Sequence, residues 1–266
     1  MARPYSMTRT LGALLLLGVM IAVFIPLGNW QLRRAAERKG IMHAIEAGRN
    51  SPPVALAPDT PAKTLTNWRP ATASGVWLDN FTVLLQNRNY KGRPGYWVAT
   101  PLLIDPALHT AVLVLRGWLP FTAGQASVTA PDAAHADKTQ TIRGTLLDHV
   151  PRLFELWSFS GHSTDALPAK LPAPGGATPQ VQNLDLGAYA RATGLKFIPA
   201  VMEQTSGSQD RLVRDWPLPS IDFARNNGYA MQWFSFAAIA AAAWLVVAWR
   251  AWRRYRSQGP GVPPSA

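Results

Sequence analysis

Cysteine is absent from the 266 residues, which removes disulfides, thiolate metal sites and redox pairs and leaves histidine, methionine and carboxylates for any metal chemistry. Acidic residues are scarce. There are 15 Asp and Glu against 26 Lys and Arg, giving a formal charge of +11, and the charged fraction of 15% is low for a soluble domain. His43, His109, His135, His149 and His162 include no pair at i,i+3 or i,i+4, so a helical zinc site is not expected. Also missing are a G-x-S-x-G elbow, a Walker loop and a G-x-G-x-x-G fingerprint. Glu155 and Glu203 read as structural carboxylates rather than an acid/base pair. The residues supply no catalytic constellation, and the expectation is a protein that is not an enzyme.

What the chain does have is two long apolar runs, Leu11 to Leu27 and Tyr229 to Trp249. A helix crossing about 30 Å of hydrocarbon needs about 20 apolar residues, because backbone groups in lipid must pair internally. The second run meets this, with Trp233 and Phe234 before its centre and Trp249, Trp252 and Tyr255 at its far end, the aromatic positions of a headgroup belt. The first run ends Ile25-Pro26-Leu27-Gly28-Asn29-Trp30 and turns basic with no small-x-small site, which reads as an uncleaved anchor. It leaves no room before it for an Arg-rich transit peptide, so a bacterial inner membrane is the expected location. The basic residues crowd at the span edges, as Arg33, Arg34, Arg38 and Lys39 and as Arg250, Arg253, Arg254 and Arg256. That placement suits a lipid bilayer with anionic headgroups, and no nucleic acid is expected as a partner.

The expected architecture is therefore a membrane protein in which two transmembrane α-helices flank a mostly antiparallel β (α+β) extracytoplasmic domain. Residues 1–10 form a cytoplasmic N-terminus, 11–29 the first span, 30–228 a periplasmic domain with an amphipathic lead-in helix, 229–249 the second span and 250–266 a basic cytoplasmic tail. The lead-in helix covers Trp30 to Ala47, with Arg33 and Glu37 at i,i+4. Pro52, Pro53, Pro58 and Pro61 then enforce extended backbone. Trp68 to Trp77, Thr82 to Arg88, Tyr96 to Leu103, Ala111 to Leu119 and Thr139 to Leu147 read as strands of a meander, with turns at Arg88–Gly92 and Asp105-Pro106. Loops are expected at Thr122 to Lys138 and Ser158 to Gln182. Asp185 caps an expected helix from Leu186 to Thr193 that stops at Gly194, and a strand follows around Phe197 to Glu203.

Gly28 to Arg34, Leu113 to Pro120 and Asn226 to Phe234 put Arg or Gln beside Trp where strands or spans end. That combination suits a ligand or partner at the membrane edge, and it also suits headgroup anchoring. Taken in order, Gly28-Asn29-Trp30-Gln31-Leu32-Arg33-Arg34, Gln86-Asn87-Arg88, Gly95-Tyr96-Trp97-Val98-Ala99-Thr100-Pro101, Val114-Leu115-Arg116-Gly117-Trp118-Leu119-Pro120 and Tyr229-Ala230-Met231-Gln232-Trp233-Phe234 resemble the Surfeit-locus cytochrome c oxidase assembly factor family. The resemblance spans nearly the whole chain and implies no substrate turnover. It implies an assembly factor for a haem-copper terminal oxidase that assists haem a insertion into the largest subunit or stabilises that subunit. It further implies cofactor-facing positions at Asn226, Tyr229 and Met231, where Asn226 replaces the family's usual histidine. Partner or membrane-edge contacts are expected at Trp30, Gln31, Arg34, Arg88, Arg116, Trp118, Gln232 and Trp233. The competing class is a membrane-anchored extracytoplasmic hydrolase or transferase, which requires Glu203, Asp148 and His149 to converge in one pocket.

Overall fold

The computed structural model describes residues 7–121, 138–153, 167–173, 178–207, 210–219 and 222–257. All but the last residue of the expected loop at 122–138, much of the one at 158–182, and His135, Glu155 and His162 lie outside them. The chain divides into a helical unit, Met1–His43 with Pro219–Ala266, and a β-rich unit, Ala44–Leu218.

Two helices make the helical unit, α1 (Met7–Arg49) and α3 (Phe223–Ser257), and both are long and apolar enough to cross a membrane. The lead-in helix is not separate from the first span, because α1 runs unbroken past Pro26 to Arg49. At 1.5 Å per residue its length is about 65 Å, roughly twice the hydrocarbon thickness. On α1 the less exposed positions recur as Ile21, Phe24, Gly28, Gln31, Ala35 and Arg38, and on α3 as Asn226, Ala230, Trp233, Ala237 and Ala240. Alternating steps of three and four are the heptad spacing of helices packed along a common seam. Ala238 and Ala242, a pair of small residues at i,i+4, lie off it, exposed.

The β-rich unit contains β1 (Val54–Ala55), β2 (Pro70–Trp77), β3 (Val83–Tyr90), β4 (Arg93–Asp105), β5 (Thr110–Pro120), β6 (Gln140–Leu147), β7 (Gln180–Val181), α2 (Leu186–Thr193) and β8 (Lys196–Gln204). All six expected strands and the capped helix are present within a few residues of the expected bounds. β3, β4 and β5 form the expected antiparallel meander, and its first hairpin turns on Lys91 and Gly92, both at positive φ, as a two-residue primed turn requires. β8 then enters parallel to β5 and antiparallel to β6. One edge of β4 is shared: Arg93 to Ala99 carry β3, while Leu102 and Leu103 pair with Trp77 and Val76 of β2. That last pairing closes β2, β6, β8, β5 and β4 into a ring.

Strand alternation sorts the apolar residues into two cores. Ala71, Ala73, Leu102, Val112, Val114, Ile142, Leu146, Ala200 and Met202 pack together as one. Their strand neighbours point the other way, as Leu113, Leu115, Leu147 and Val201, and pack with Val83, Leu85, Val181 and the Tyr189 and Ala192 face of α2. The N-terminus of α2 is capped by Asp185, which accepts from Ala188 N at 2.7 Å, and its end turns at Gly194 with φ 72°. Tyr189 is fully buried, and its hydroxyl donates to the carbonyl of Phe81.

Glu203 shares the face of Val201, lies opposite Leu115 and Thr145 in register, and is 8% exposed. Burial disfavours its charged form and raises its carboxyl to about 7. A folded-state value above the unfolded one of about 4.3 contributes stability at low pH that is lost as pH rises through 7. Glu203→Gln should therefore gain on the parent by up to about 3 kcal/mol between pH 4 and pH 8. Denaturant unfolding of the full chain in detergent across that range checks it, and a constant difference would assign Glu203 a solvated environment.

Candidate functional site

The motif-bearing stretches of the helical unit meet at the seam between its helices. Phe24 packs on Trp233 and Phe236 with ring centroids 5.6 and 5.8 Å apart. Gly28 faces the Phe234 ring so closely that a Cβ there would lie 2.7 Å from it, so no larger residue fits without a shift. Asn226 Nδ2 donates to Gln31 Oε1 at 2.6 Å, and Arg38 donates to the Asp222 carbonyl at 2.8 Å. As numbering rises along α1 it falls along α3, so the two helices run antiparallel. Asp222 accepts from Arg225 N and caps the start of α3.

Asn226 is 9% exposed, and its Oδ1 has no hydrogen-bond partner among the described residues. Tyr229 and Met231 are 41% and 69% exposed. At 100° per residue Met231 stands about 140° around the helix from Asn226, so the two do not face one ligand. An asparagine is not an ordinary axial ligand for haem iron, its amide nitrogen is committed to Gln31, and the Met231 thioether points elsewhere. These residues do not fit an axial haem site. Trp30 is 48% exposed, Gln232 is exposed, and Arg34 is exposed beside Glu37 at 3.1 Å.

In the β-rich unit the remaining motifs gather around the segment Asp210–Pro217, which straps across the end of β5. Arg116 is 4% exposed, 2.9 Å from Asp79 and 3.8 Å from Asp210, with its guanidinium 4.6 Å over the Trp77 ring. Asp210 also takes Arg214 at 2.5 Å. Two cations and two carboxylates thus share a desolvated site, and burial outweighs the carboxylates to hold the Arg116 pKa below its ordinary value. Gly117 backs onto the strap, where a Cβ would lie 2.7 Å from that of Leu212. Trp118 and Val213 exchange both backbone hydrogen bonds, at 2.7 and 3.0 Å.

Arg88 lies inside the same region. Its guanidinium sits 4.5 Å over Trp97 and donates to the carbonyls of Pro151 and Gln182, while its own carbonyl accepts from Trp118 Nε1 at 2.8 Å. Burial brings its pKa down to about 10. Asn87, at φ 60°, sits at the irregularity in the β3–β4 pairing and donates to Gln182, and Gln86 donates to Gln180. The Arg88 and Arg116 terminal nitrogens and the Trp118 indole N–H are thus engaged within the domain, while Arg88 Nε and Arg116 Nε are buried with no hydrogen-bond partner among the described residues.

Beside the strap, Tyr90, Trp97, Trp118 and Trp216 line a cleft of about 220 Å³. Trp216 stands edge-on to Trp97 with centroids 5.3 Å apart and donates to the Gln204 carbonyl at 2.8 Å. At the rim Tyr90 donates to Asp215, and the Lys91 ammonium lies 3.8 Å from Asp215 and 5.0 Å from the Tyr90 ring. The sequence reading missed Asp210, Arg214, Asp215 and Trp216. Their signal was an Asp and Arg four residues apart, followed by an isolated Trp-Pro.

The hydrolase reading needed Glu203, Asp148 and His149 in one pocket. Asp148 and His149 pair with each other at 2.5 Å in the open, 60% and 66% exposed. Glu203 is buried opposite Thr145, about 10 Å back along β6 at 3.4 Å per residue, and none of the three lines the cleft.

The model of the SURF1 family matches residues 18–238. A SURF1-like protein of Mycobacterium bovis is 26% identical over 263 residues, covering 95% of this chain and 88% of that protein. Surfeit locus protein 1 of Arabidopsis thaliana is 23% identical over 263 residues, 84% of this chain and 74% of the relative. The cytochrome oxidase assembly protein SHY1 of Saccharomyces cerevisiae is 29% identical over 116 residues, 42% of this chain and 30% of its own length.

An interhelical side-chain hydrogen bond in a membrane protein averages about 0.6 kcal/mol and reaches about 1.7. A double-mutant cycle of Gln31→Leu and Asn226→Leu, read from unfolding of the full chain in detergent, should give a coupling in that range. Additive effects would remove this bond from the forces that set the seam.

Proposed function

The chain belongs to the SURF1 family, and on that premise we propose that it is an assembly factor for a haem-copper cytochrome c oxidase, holding the largest subunit while haem a is inserted. The observation that carries this reading is a family match that runs from within α1 through the β-rich unit into the first half of α3, with a yeast relative named as a cytochrome oxidase assembly protein. Function here is binding and positioning, without substrate turnover. The cofactor stays with the oxidase subunit and takes no ligand from Asn226, whose amide holds α1 to α3.

The partner surface in this reading is the exposed part of the motif stretches: Trp30, Arg34, Tyr229, Met231 and Gln232. Gln31 and Trp233 behind them hold the seam. Two candidate spans and the family support a membrane location. The finer arrangement in our reading is the bacterial inner membrane, both termini cytoplasmic and the β-rich unit periplasmic. It is supported by the arginines after Trp249 and by the tolerance of long loops for export whatever their charge.

Deleting the gene from a strain with one such oxidase and no second copy should lower both haem a content and cytochrome c oxidase activity, restored by the wild-type gene. Haem spectra of isolated membranes and oxygen uptake measure this. Normal values for both in the deletion strain would overturn the assignment.

A further inference from the structure

The last three turns of α3 carry a feature that oxidase assembly does not call on. Arg253 lies with its guanidinium 4.8 Å over the Trp249 ring, and Arg256 lies 4.1 Å over that of Trp252. At 100° per residue these four side chains fall within an arc of about 100°. Arg250 and Arg254 point to a different part of the helix surface. No Asp or Glu occurs anywhere in α3, and Trp249 and Trp252 are 53% and 51% exposed.

We infer that this face is a binding site for the headgroup phosphate of an anionic phospholipid. Arginine recognises a phosphate through paired N–H donors, and stacking on an indole holds the guanidinium plane, so little rotamer freedom is lost on binding. Indoles at the end of a span sit at headgroup depth, where a lipid phosphate is the anion at hand. The helix C-terminus opposes an anion with a partial charge of about −0.5, and the arginines outweigh it several-fold. A soluble phosphate would meet the guanidiniums alone, whereas a lipid also covers the apolar surface of the half-exposed Trp249 and Trp252, so the fit is to a lipid. The inference rests on the membrane reading of α3 and not on the oxidase role.

The full chain is placed in nanodiscs of phosphatidylcholine mixed with phosphatidylglycerol, and the lipids it retains are counted by native mass spectrometry. Phosphatidylglycerol should be enriched, and Arg253→Gln with Arg256→Gln should cut the enrichment about tenfold. Arg250→Gln with Arg254→Gln removes the same charge from another face and should leave most of it. Equal losses in the two double variants would reduce the effect to net charge and overturn the site. So would unchanged enrichment in the first variant, or release of the lipid by inorganic phosphate. Carbonate extraction of the same proteins separates this from the premise: a chain that washes off vesicles refutes the membrane reading itself.

Discussion

Arg116 brings a full positive charge to a position 4% exposed, and much of the β-rich unit is arranged around making that tolerable. An unpaired buried ion costs several kcal/mol, and breaking a buried pair costs about 3–5. Asp79 and Asp210 must therefore be delivered to it, one by the turn between β2 and β3 and the other by the strap. Once Asp210 is there, Leu212 lies on Gly117, Val213 pairs with Trp118, and Trp216 reaches Trp97. The Arg-Gly-Trp order on β5 is thus three consecutive grips on one segment: a charge on Asp210, a bare Cα against Leu212 and a backbone pairing with Val213. The aromatic cleft is a by-product of that closure, since Trp216 is one of its walls.

The helical unit solves a different problem with fewer means. Apolar surface gives helices little reason to associate in lipid, so close packing and a few polar contacts have to fix their register. Gly28 lets the Phe234 ring approach the α1 backbone, Phe24 fills the space beside Trp233, and the Asn226 and Gln31 amides meet one turn further along. Apart from Phe24, these residues lie in the stretches Gly28 to Arg34 and Asn226 to Phe234 that the sequence singles out. Their role in the seam and a role at a partner surface are compatible, because Trp30, Tyr229 and Met231 on the same helices remain exposed.

Local features of the fold were legible. Runs of Val, Leu and aromatics between turn residues marked the strands, and Asp185 with Gly194 marked both ends of α2. What escaped depends on contacts between residues far apart in sequence. Nothing near Val76 or Leu103 announces that β2 and β4 pair, and nothing near Phe197 announces that β8 slots between β5 and β6. The first span and the lead-in helix read as two elements meeting at Trp30, yet α1 runs through both and past Pro26, because a proline removes one hydrogen bond and good helix formers follow it. For the site, the motifs drew attention to Arg88, Arg116 and Trp118. Their engagement inside the domain could not be read without Asp210 and Trp216, which lie at the far end of the unit.

Amide exchange at Val213 in an Arg116→Met variant of the full chain tests the central claim most directly. If the buried charge network holds the strap, Val213 should exchange faster than in the parent while the amides of β6 and β8 keep their protection. Exchange at Val213 equal to the parent's would show that the strap stays in place without Arg116, and would contradict the account.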